Sequence, residues 1–497
     1  MNDMNYTELV VFIVYLAAML AIGVYFFVRT KGKGGEKDYF LGNRQMGPWV
    51  TALSAGASDM SAWVLMGLPA SIYMLGVGQT WIAIGLAAGY ILSWVFVAPR
   101  LRRFSIAAND SITLPQYLTN RFLSSSKALQ IICAVIFLFA YAIYAAASIK
   151  ACGTLFNTVL GINANLAMYV AAFIIVGYTF LGGYKAVCWT DFFQGLLMLG
   201  ALFIAPIFAL ALVNTGHAAA TSVTFSENYW NFMSSGKLDW KSWADILTGF
   251  GWGLGYFGMP HIIIRFMSLR SQKEVKKSAA IGISWNILIL FFAVLVGLIG
   301  HMFLGDMEIA NSGQKVFIEM VRIIFPAVIS GILLSAILAA AMSTADSQLL
   351  ASASAFAADV YKPVLRKNAA EPEMFWAGRI VVIIIAIAAV IIAANPGSGT
   401  IMGLVGNAWG VFGASFGPVI LLSLFWKRLT FAGAVAGIVA GAVIDVLWLI
   451  FMSGTGLYEI IPGFAAGIIV AVIVTLCGKG PDASVEALYD KSVALED

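Results

Sequence analysis

The carboxylate with the most to explain is Asp59, set in the apolar stretch 52–63 with Ser54, Ser58 and Ser61 around it. A charge at the middle of a bilayer costs ~2.5 kcal/mol or more, so this aspartate is either a neutral or salt-bridged structural group or a binder of cations. A second stretch runs Gly249, Gly251, Gly253, Gly255, Gly258 and then Pro260, interleaved with Trp252, Tyr256 and Phe257. Glycine costs about 1 kcal/mol against alanine inside a helix. A dense run ending in proline therefore predicts unwound backbone with aromatic side chains lining a pocket, and the competing use is close helix packing. A third stretch places Ser343 and Thr344 after Ala339, Ala340 and Ala341. Small residues there let a neighbour approach closely, and two adjacent hydroxyls offer neutral oxygens to a cation or glue between helices. Other chemistries lack their residues. Cys133, Cys152, Cys188 and Cys477 are scattered without CxxC spacing, His217, His261 and His301 show no ligand spacing and read as structural, and no GxxxxGK[ST] occurs.

The elements that carry these stretches are membrane helices. Of 497 residues 61% are hydrophobic and 11% charged, against about 25% charged in a soluble domain, and the mean hydropathy is +0.90. A spanning helix needs roughly 20 apolar residues. Such runs predict thirteen spans, at 7–28, 47–71, 79–98, 128–156, 164–182, 190–213, 242–264, 280–303, 327–358, 375–395, 400–426, 431–453 and 459–477. Loops 29–46, 99–127, 183–189, 265–279, 359–379, 427–430 and 478–497 hold 24 of the 29 Lys and Arg; Lys150, Lys237, Lys241, Lys315 and Arg322 lie on the other side. That asymmetry predicts an N-terminus outside and a C-terminus inside. A net charge of +4 leaves no electrostatic footprint for nucleic acid. The expectation is one all-α integral membrane domain, residues 1–477, with a short cytoplasmic tail at 478–497. Spans two and seven are both interrupted and run in opposite directions. That is the pattern of two inverted five-helix repeats, helices 2–6 and 7–11, at about 47–213 and 242–426.

The strings at 51–69, 251–261 and 333–344, with Gly182-Gly183 and Trp189-Thr190-Asp191, resemble the sodium/solute symporter family, closest to its bacterial sodium/proline branch. The likeness runs from the first span to the thirteenth. It implies a LeuT-like core and Na+-coupled uptake of L-proline by alternating access in a bacterial inner membrane, with Na+ as coupling ion. Carried over by position, the resemblance assigns Na+ to the carbonyls of Ala57, Met60 and Ala340 and the hydroxyls of Ser343 and Thr344, with Asp59 near that site. It places Ser61, Tyr144, Trp252, Tyr256 and Pro260 around the substrate and Arg44 at the cytoplasmic side of the sodium path. A pyrrolidine ring can stack on Trp252 and Tyr256, and a cationic amine can sit near aromatic faces.

Two residues depart from the family pattern. Asp346 lies about one turn beyond Ser343, where with Asp191, Ser343 and Ser347 it would form a second cation site or else pair with a Lys or Arg. Lys150 stands in the fourth span, where it would snorkel to the headgroups or reach an outer vestibule and attract a carboxylate. The expected partners are L-proline or a similar small zwitterion, Na+ and the lipid bilayer, with no obligate protein partner evident. The runner-up substrate is another amino acid or small carboxylate such as a monocarboxylate or pantothenate. A channel or sensor would be a different class, and an enzyme would need a clustered polar site that the sequence lacks.

Overall fold

The computed structural model describes residues 5–30, 36–179, 183–307, 309 and 313–495; Gly182 of the family motif lies outside them. Lipid leaves backbone groups no partner but one another, and the described residues form helices joined by turns and loops, with no strand among them. The first half comprises α1 (Tyr6–Thr30), α2 (Glu36–Leu41), α3 (Pro48–Asp59), α4 (Leu68–Leu75), α5 (Thr80–Leu92), α6 (Ala98–Ala107), α7 (Leu114–Arg121), α8 (Ala128–Leu160), α9 (Ala164–Thr179) and α10 (Tyr184–Asn214). The second comprises α11 (Trp240–Leu254), α12 (Pro260–Ser268), α13 (Val275–Leu304), α14 (Val316–Ile324), α15 (Ala327–Ser354), α16 (Glu371–Ala394), α17 (Ile401–Phe425), α18 (Phe431–Phe451), α19 (Ile460–Cys477) and α20 (Ala483–Ala494). Among the described residues ten helices are long and apolar enough to cross a membrane. The other three predicted spans correspond to α9, of 16 residues, and to two interrupted helices.

Both interruptions are short. α3 starts on Pro48, whose missing N–H costs nothing at a first turn, and stops where Met60 leaves helical backbone at ψ 71. The Ser61 N–H turns back to the Asp59 carbonyl at 2.8 Å, and a π-turn at Trp63–Gly67 leads into α4. α11 starts on Asp239, whose side chain accepts from the Ser242 N–H. It gives way to a tight turn at Gly255–Phe257 and an extended Met259 (ψ 106) before Pro260 restarts helix as α12.

The break is thus confined to 255–259, and the expectation of unwinding across the whole glycine run is corrected. α11 is regular through Gly249, Gly251 and Gly253. A Cβ on Gly249 would come within 2.5 Å of the Trp81 backbone, and one on Gly253 within 2.3 Å of the Gly85 carbonyl. One on Gly85 would meet the Gly249 carbonyl at 1.9 Å. Glycine here lets α11 lie backbone to backbone on α5.

α12 runs antiparallel to α3, with His261 opposite Ser58 and Arg265 opposite Ser54. Met46, just before α3, pairs with Leu269, just after α12, through Met46 N–H to Ser268 O and Arg270 N–H to Met46 O, each 3.2 Å. α15 packs on α3, α8 and α10, α12 on α3 and α15, α17 on α8, and the α18–α19 hairpin on α17. α20 folds back on α6, with the Arg121 guanidinium 5.0 Å from the Tyr489 ring and Arg103 donating to the Val493 carbonyl at 2.9 Å.

Candidate functional site

At the first break, α15 meets α3 through oxygen atoms. The Ser61 N–H is spent on Asp59, so the Ala57 carbonyl faces outward from its helix and accepts the Ser343 hydroxyl at 2.8 Å. The same hydroxyl lies 3.2 Å from the Ala340 carbonyl. Thr344 Oγ1 beside it is buried without a hydrogen-bond partner. Ala57, Met60, Ala340, Ser343 and Thr344 are all fully buried, and Met60 sits at the non-helical position itself. Three of the five predicted sodium ligands therefore touch, and a fourth is a hydroxyl in want of a partner. Neutral oxygens at a helix break are the donor set a hard monovalent cation takes. Among the described residues no group of three or more His, Cys, Asp or Glu side chains gathers as a metal site.

Asp59 joins that cluster to the second break. Its Oδ2 accepts the Tyr256 hydroxyl at 2.5 Å, while Oδ1 is buried without a partner. Its carbonyl faces Trp63 Nε1 at 3.2 Å and the Tyr144 hydroxyl at 3.4 Å. Tyr256 is held from the turn that follows α5, where Ser93 donates to its carbonyl at 3.0 Å. Trp252 lies with its ring centroid 6.3 Å from Trp63 and 5.0 Å from Tyr458. Trp409 Nε1 donates to the Trp252 carbonyl at 2.8 Å, and Gly255 leaves that indole room, since a Cβ would fall 2.0 Å from Nε1. Pro260 opens α12, where His261 Nε2 reaches the Ser58 carbonyl at 3.2 Å. The predicted substrate residues Ser61, Tyr144, Trp252, Tyr256 and Pro260 thus gather where the two breaks meet.

Asp191, Asp346 and Ser347 are also together, around a cation that sequence reading placed elsewhere. Arg265, counted with the cytoplasmic loop, is 2% exposed inside α12. Its Nη2 meets Asp191 Oδ2 at 3.2 Å and Ser347 Oγ at 2.5 Å, and its Nε meets Ser54 Oγ at 3.2 Å. Ser54 also donates to Asp191 at 2.6 Å. Asp346 faces this group through Ser347 at 3.4 Å and keeps Oδ2 unpartnered. Lys150 donates to Ser398 Oγ at 3.0 Å and to the Gly399 carbonyl, tying α8 to the α16–α17 turn.

Arg44 stands apart from the substrate residues, at the end of the bundle where Met46 meets Leu269. Gly42, Asn43 and Arg44 all have positive φ (60, 55 and 52°), a left-handed stretch that non-glycine residues adopt only when their surroundings fix it. Four acceptors fix this one: Asp110 Oδ1 at 2.9 Å, Ser105 Oγ at 3.1 Å, Met267 O at 2.5 Å and Ser111 O at 2.7 Å. Burial pushes the Asp110 carboxyl up, but Lys37 and Arg44 outweigh it and hold it below the usual range. One arginine thereby closes α12, the α6–α7 connection and the approach to α3 on each other.

Trp63, Trp409, Tyr458 and Arg265 carry no role in the sequence reading. Only Trp63, four residues past Asp59, had a signal in spacing. The family model for the sodium:solute symporter family matches residues 39–441. The chain is 42% identical to the sodium/proline symporter of Escherichia coli K12 over 98% of its length and 96% of that protein. It is 41% identical to the sodium/proline symporter of Staphylococcus aureus USA300 over the same shares. Its fold is similar to that of a Na+-coupled sialic acid symporter in a substrate-bound outward-open state, with a TM-score of 0.79 at 21% identity covering 97% of this chain and 100% of that one. MhsT in complex with L-phenylalanine matches at a TM-score of 0.55 and 14% identity, over 86% and 97% of the two chains. With four-fifths of its length under the family model and relatives above 40% identity from end to end, the chain belongs to the sodium:solute symporter family.

Proposed function

We propose that this multi-pass membrane protein takes up L-proline by symport with Na+. The observation that carries the reading is the Ser343 hydroxyl bonded to the Ala57 carbonyl across the first break, with Thr344 Oγ1 unpartnered beside it. Na+ entering there would replace the Ser343 to Ala57 hydrogen bond with five oxygens around one charge, Asp59 compensating that charge from the same turn. The ion would fasten α15 to α3 and so fix the first break against the second. Proline would then bind between Ser61, Tyr144, Trp252, Tyr256 and Pro260, its ring against the aromatic faces and its amine toward the Asp59 and Tyr256 end. By linkage each solute raises the affinity of the other by the same factor.

The finer architecture belongs to this proposal. We read the chain as thirteen spans with N-terminus out and C-terminus in, two inverted repeats at about 47–213 and 242–426 within one domain, and residues 478–497 as a cytoplasmic tail. The membrane is the bacterial cytoplasmic membrane. The antiparallel course of α12 along α3 and a buried Arg44 latch at one end support it. Arg44 serves as the cytoplasmic gate. Arg265 takes the position a second cation would occupy among Asp191, Asp346 and Ser347, which favours one exchangeable Na+.

The test is uptake of labelled L-proline into proteoliposomes with and without an inward Na+ gradient, wild type against Asp59→Asn. Saturable, Na+-dependent uptake that collapses in the variant is expected. Wild-type vesicles that accumulate no proline would sink the substrate assignment, and competition by other amino acids and small carboxylates would then identify the cargo.

A further inference from the structure

The two histidines of the helical bundle are bonded in chemically different ways. His261 Nε2 faces the Ser58 carbonyl at 3.2 Å, and Nδ1 faces the Tyr141 hydroxyl at 3.3 Å. A hydroxyl can donate, so a neutral imidazole satisfies both contacts. His301, in the last turn of α13, has Nδ1 2.7 Å from the Tyr73 carbonyl and Nε2 2.9 Å from the Thr224 carbonyl. Carbonyl oxygens only accept, and a neutral imidazole carries a single N–H. Both contacts are hydrogen bonds only when both ring nitrogens are protonated.

The surroundings suit a cation. The rings of Tyr73, Phe225 and Tyr229 stand 4.9, 4.9 and 4.7 Å from the imidazole centroid, and aromatic faces attract positive charge. Asp306 lies five residues on, its Oδ1 accepting the Thr224 N–H and hydroxyl at 3.1 and 2.6 Å. The titratable groups facing His301 are therefore Tyr73 from α4, Tyr229 from the α10–α11 loop and Asp306 beyond α13. Lys315 caps the neighbouring α14, which carries Glu319 and Arg322, and Arg322 turns instead to the Thr158 carbonyl and Glu8.

We propose that His301 is a proton-binding site in which an imidazolium, caged by three aromatic rings, pins the α10–α11 loop to the end of α4. Loss of the proton takes the donor from either Tyr73 O or Thr224 O and frees the loop between Thr224 and Tyr229. Tyr73 lies two residues from the end of α4, the half-helix that continues the first break, so the proton bears on the segment leading from Ser61. That the proton comes from outside rests on the proposed orientation; the protonation itself does not.

Nitrogen NMR of histidine-labelled wild-type protein in liposomes reads the site directly, since the chain has only three histidines. His217→Gln and Phe225→Leu assign the signals, the second shifting those of His301. While the loop is pinned, both His301 nitrogens should carry a bonded proton and His261 only one. Hydrogen exchange of residues 219–231, corrected for its intrinsic pH dependence, should quicken about tenfold as His301 deprotonates, the size expected for one lost hydrogen bond to a charged group. In His301→Gln the corrected exchange should not change with pH. A His301 ring with one bare nitrogen while the loop is protected, or loop protection indifferent to the state of the ring, would overturn the proposal. Neither readout requires transport, so failure of the proline reading and failure of this one are separable.

Discussion

Removing either hydroxyl of the Ser343–Thr344 pair should weaken sodium activation, and by unequal amounts. An oxygen lost from a bound cation costs ~1.5–3 kcal/mol, the size of a hydrogen bond to a charged group. In Ser343→Ala that loss is partly offset. The ion-free protein also suffers, because the Ala57 carbonyl loses the donor it holds at 2.8 Å, and a buried acceptor left bare costs ~1–3 kcal/mol. Sodium relieves that penalty on binding. The net is ~1 kcal/mol, about a fivefold rise in the Na+ concentration for half-maximal uptake. Thr344→Ala has no such offset. Its hydroxyl is already buried without a partner, so the ion gains the contact and satisfies the group together. Truncation then loses ~3–5 kcal/mol, at least a hundredfold. Thr344→Ser keeps the oxygen and should stay near wild type. The assay is the initial rate of labelled proline uptake against Na+ at fixed membrane potential. A Ser343→Ala shift equal to or larger than that of Thr344→Ala would refute the placement of the ion between these helices.

Three further outcomes follow from the same geometry. Gly255→Ala puts a methyl where Trp409 Nε1 stands, displacing Trp252, so the KM for proline should rise more than tenfold while binding of Na+ alone, followed by tryptophan fluorescence, changes little. Arg265→Gln and Asp191→Asn should each destabilise the protein by ~3–5 kcal/mol by leaving a buried charge unpaired, and the double variant should recover most of it in thermal unfolding in detergent. Arg44→Ala should speed labelling of a cysteine at Ser111 from the cytoplasmic side at least tenfold. Because Asp110 is held below its usual range, it stays charged well into acid, so wild-type labelling, corrected for thiolate content, should be flat from pH 6 to 8.

Side-chain chemistry was easiest to read where a polar group stood alone in an apolar run. Asp59, Ser343 and Thr344 have no reason to be at membrane depth except each other or a ligand, and they are in fact within one turn of contact. The glycine run was half legible. Close packing and unwinding draw on the same residue, and only the contact with α5 tells Gly249 and Gly253 from Gly255 and Gly258. Arg265 was hidden for the opposite reason. A cation just past an apolar run is normally in the cytoplasmic loop, and nothing local says that α12 continues past it with Asp191 waiting on α10. Trp409 on α17 and Tyr458 in the α18–α19 connection come from far downstream of both breaks, and tertiary partners at that separation leave no trace in spacing.

The seam between α5 and α11 divides the pocket mechanically. Gly85 with Gly249, and Gly89 with Gly253, hold the two backbones together with no side chains between them to reshuffle. Such a pair behaves as one stiff plate. The plate ends at Gly253, just short of the turn at Gly255–Phe257. Trp252 therefore rides on the plate, while Tyr256 sits in the flexure that joins it to α12. Two aromatic residues one helical turn apart in sequence thus stand on either side of the plate's end, Tyr256 tied back to it through Ser93, and the gap between their rings would gauge any bending there.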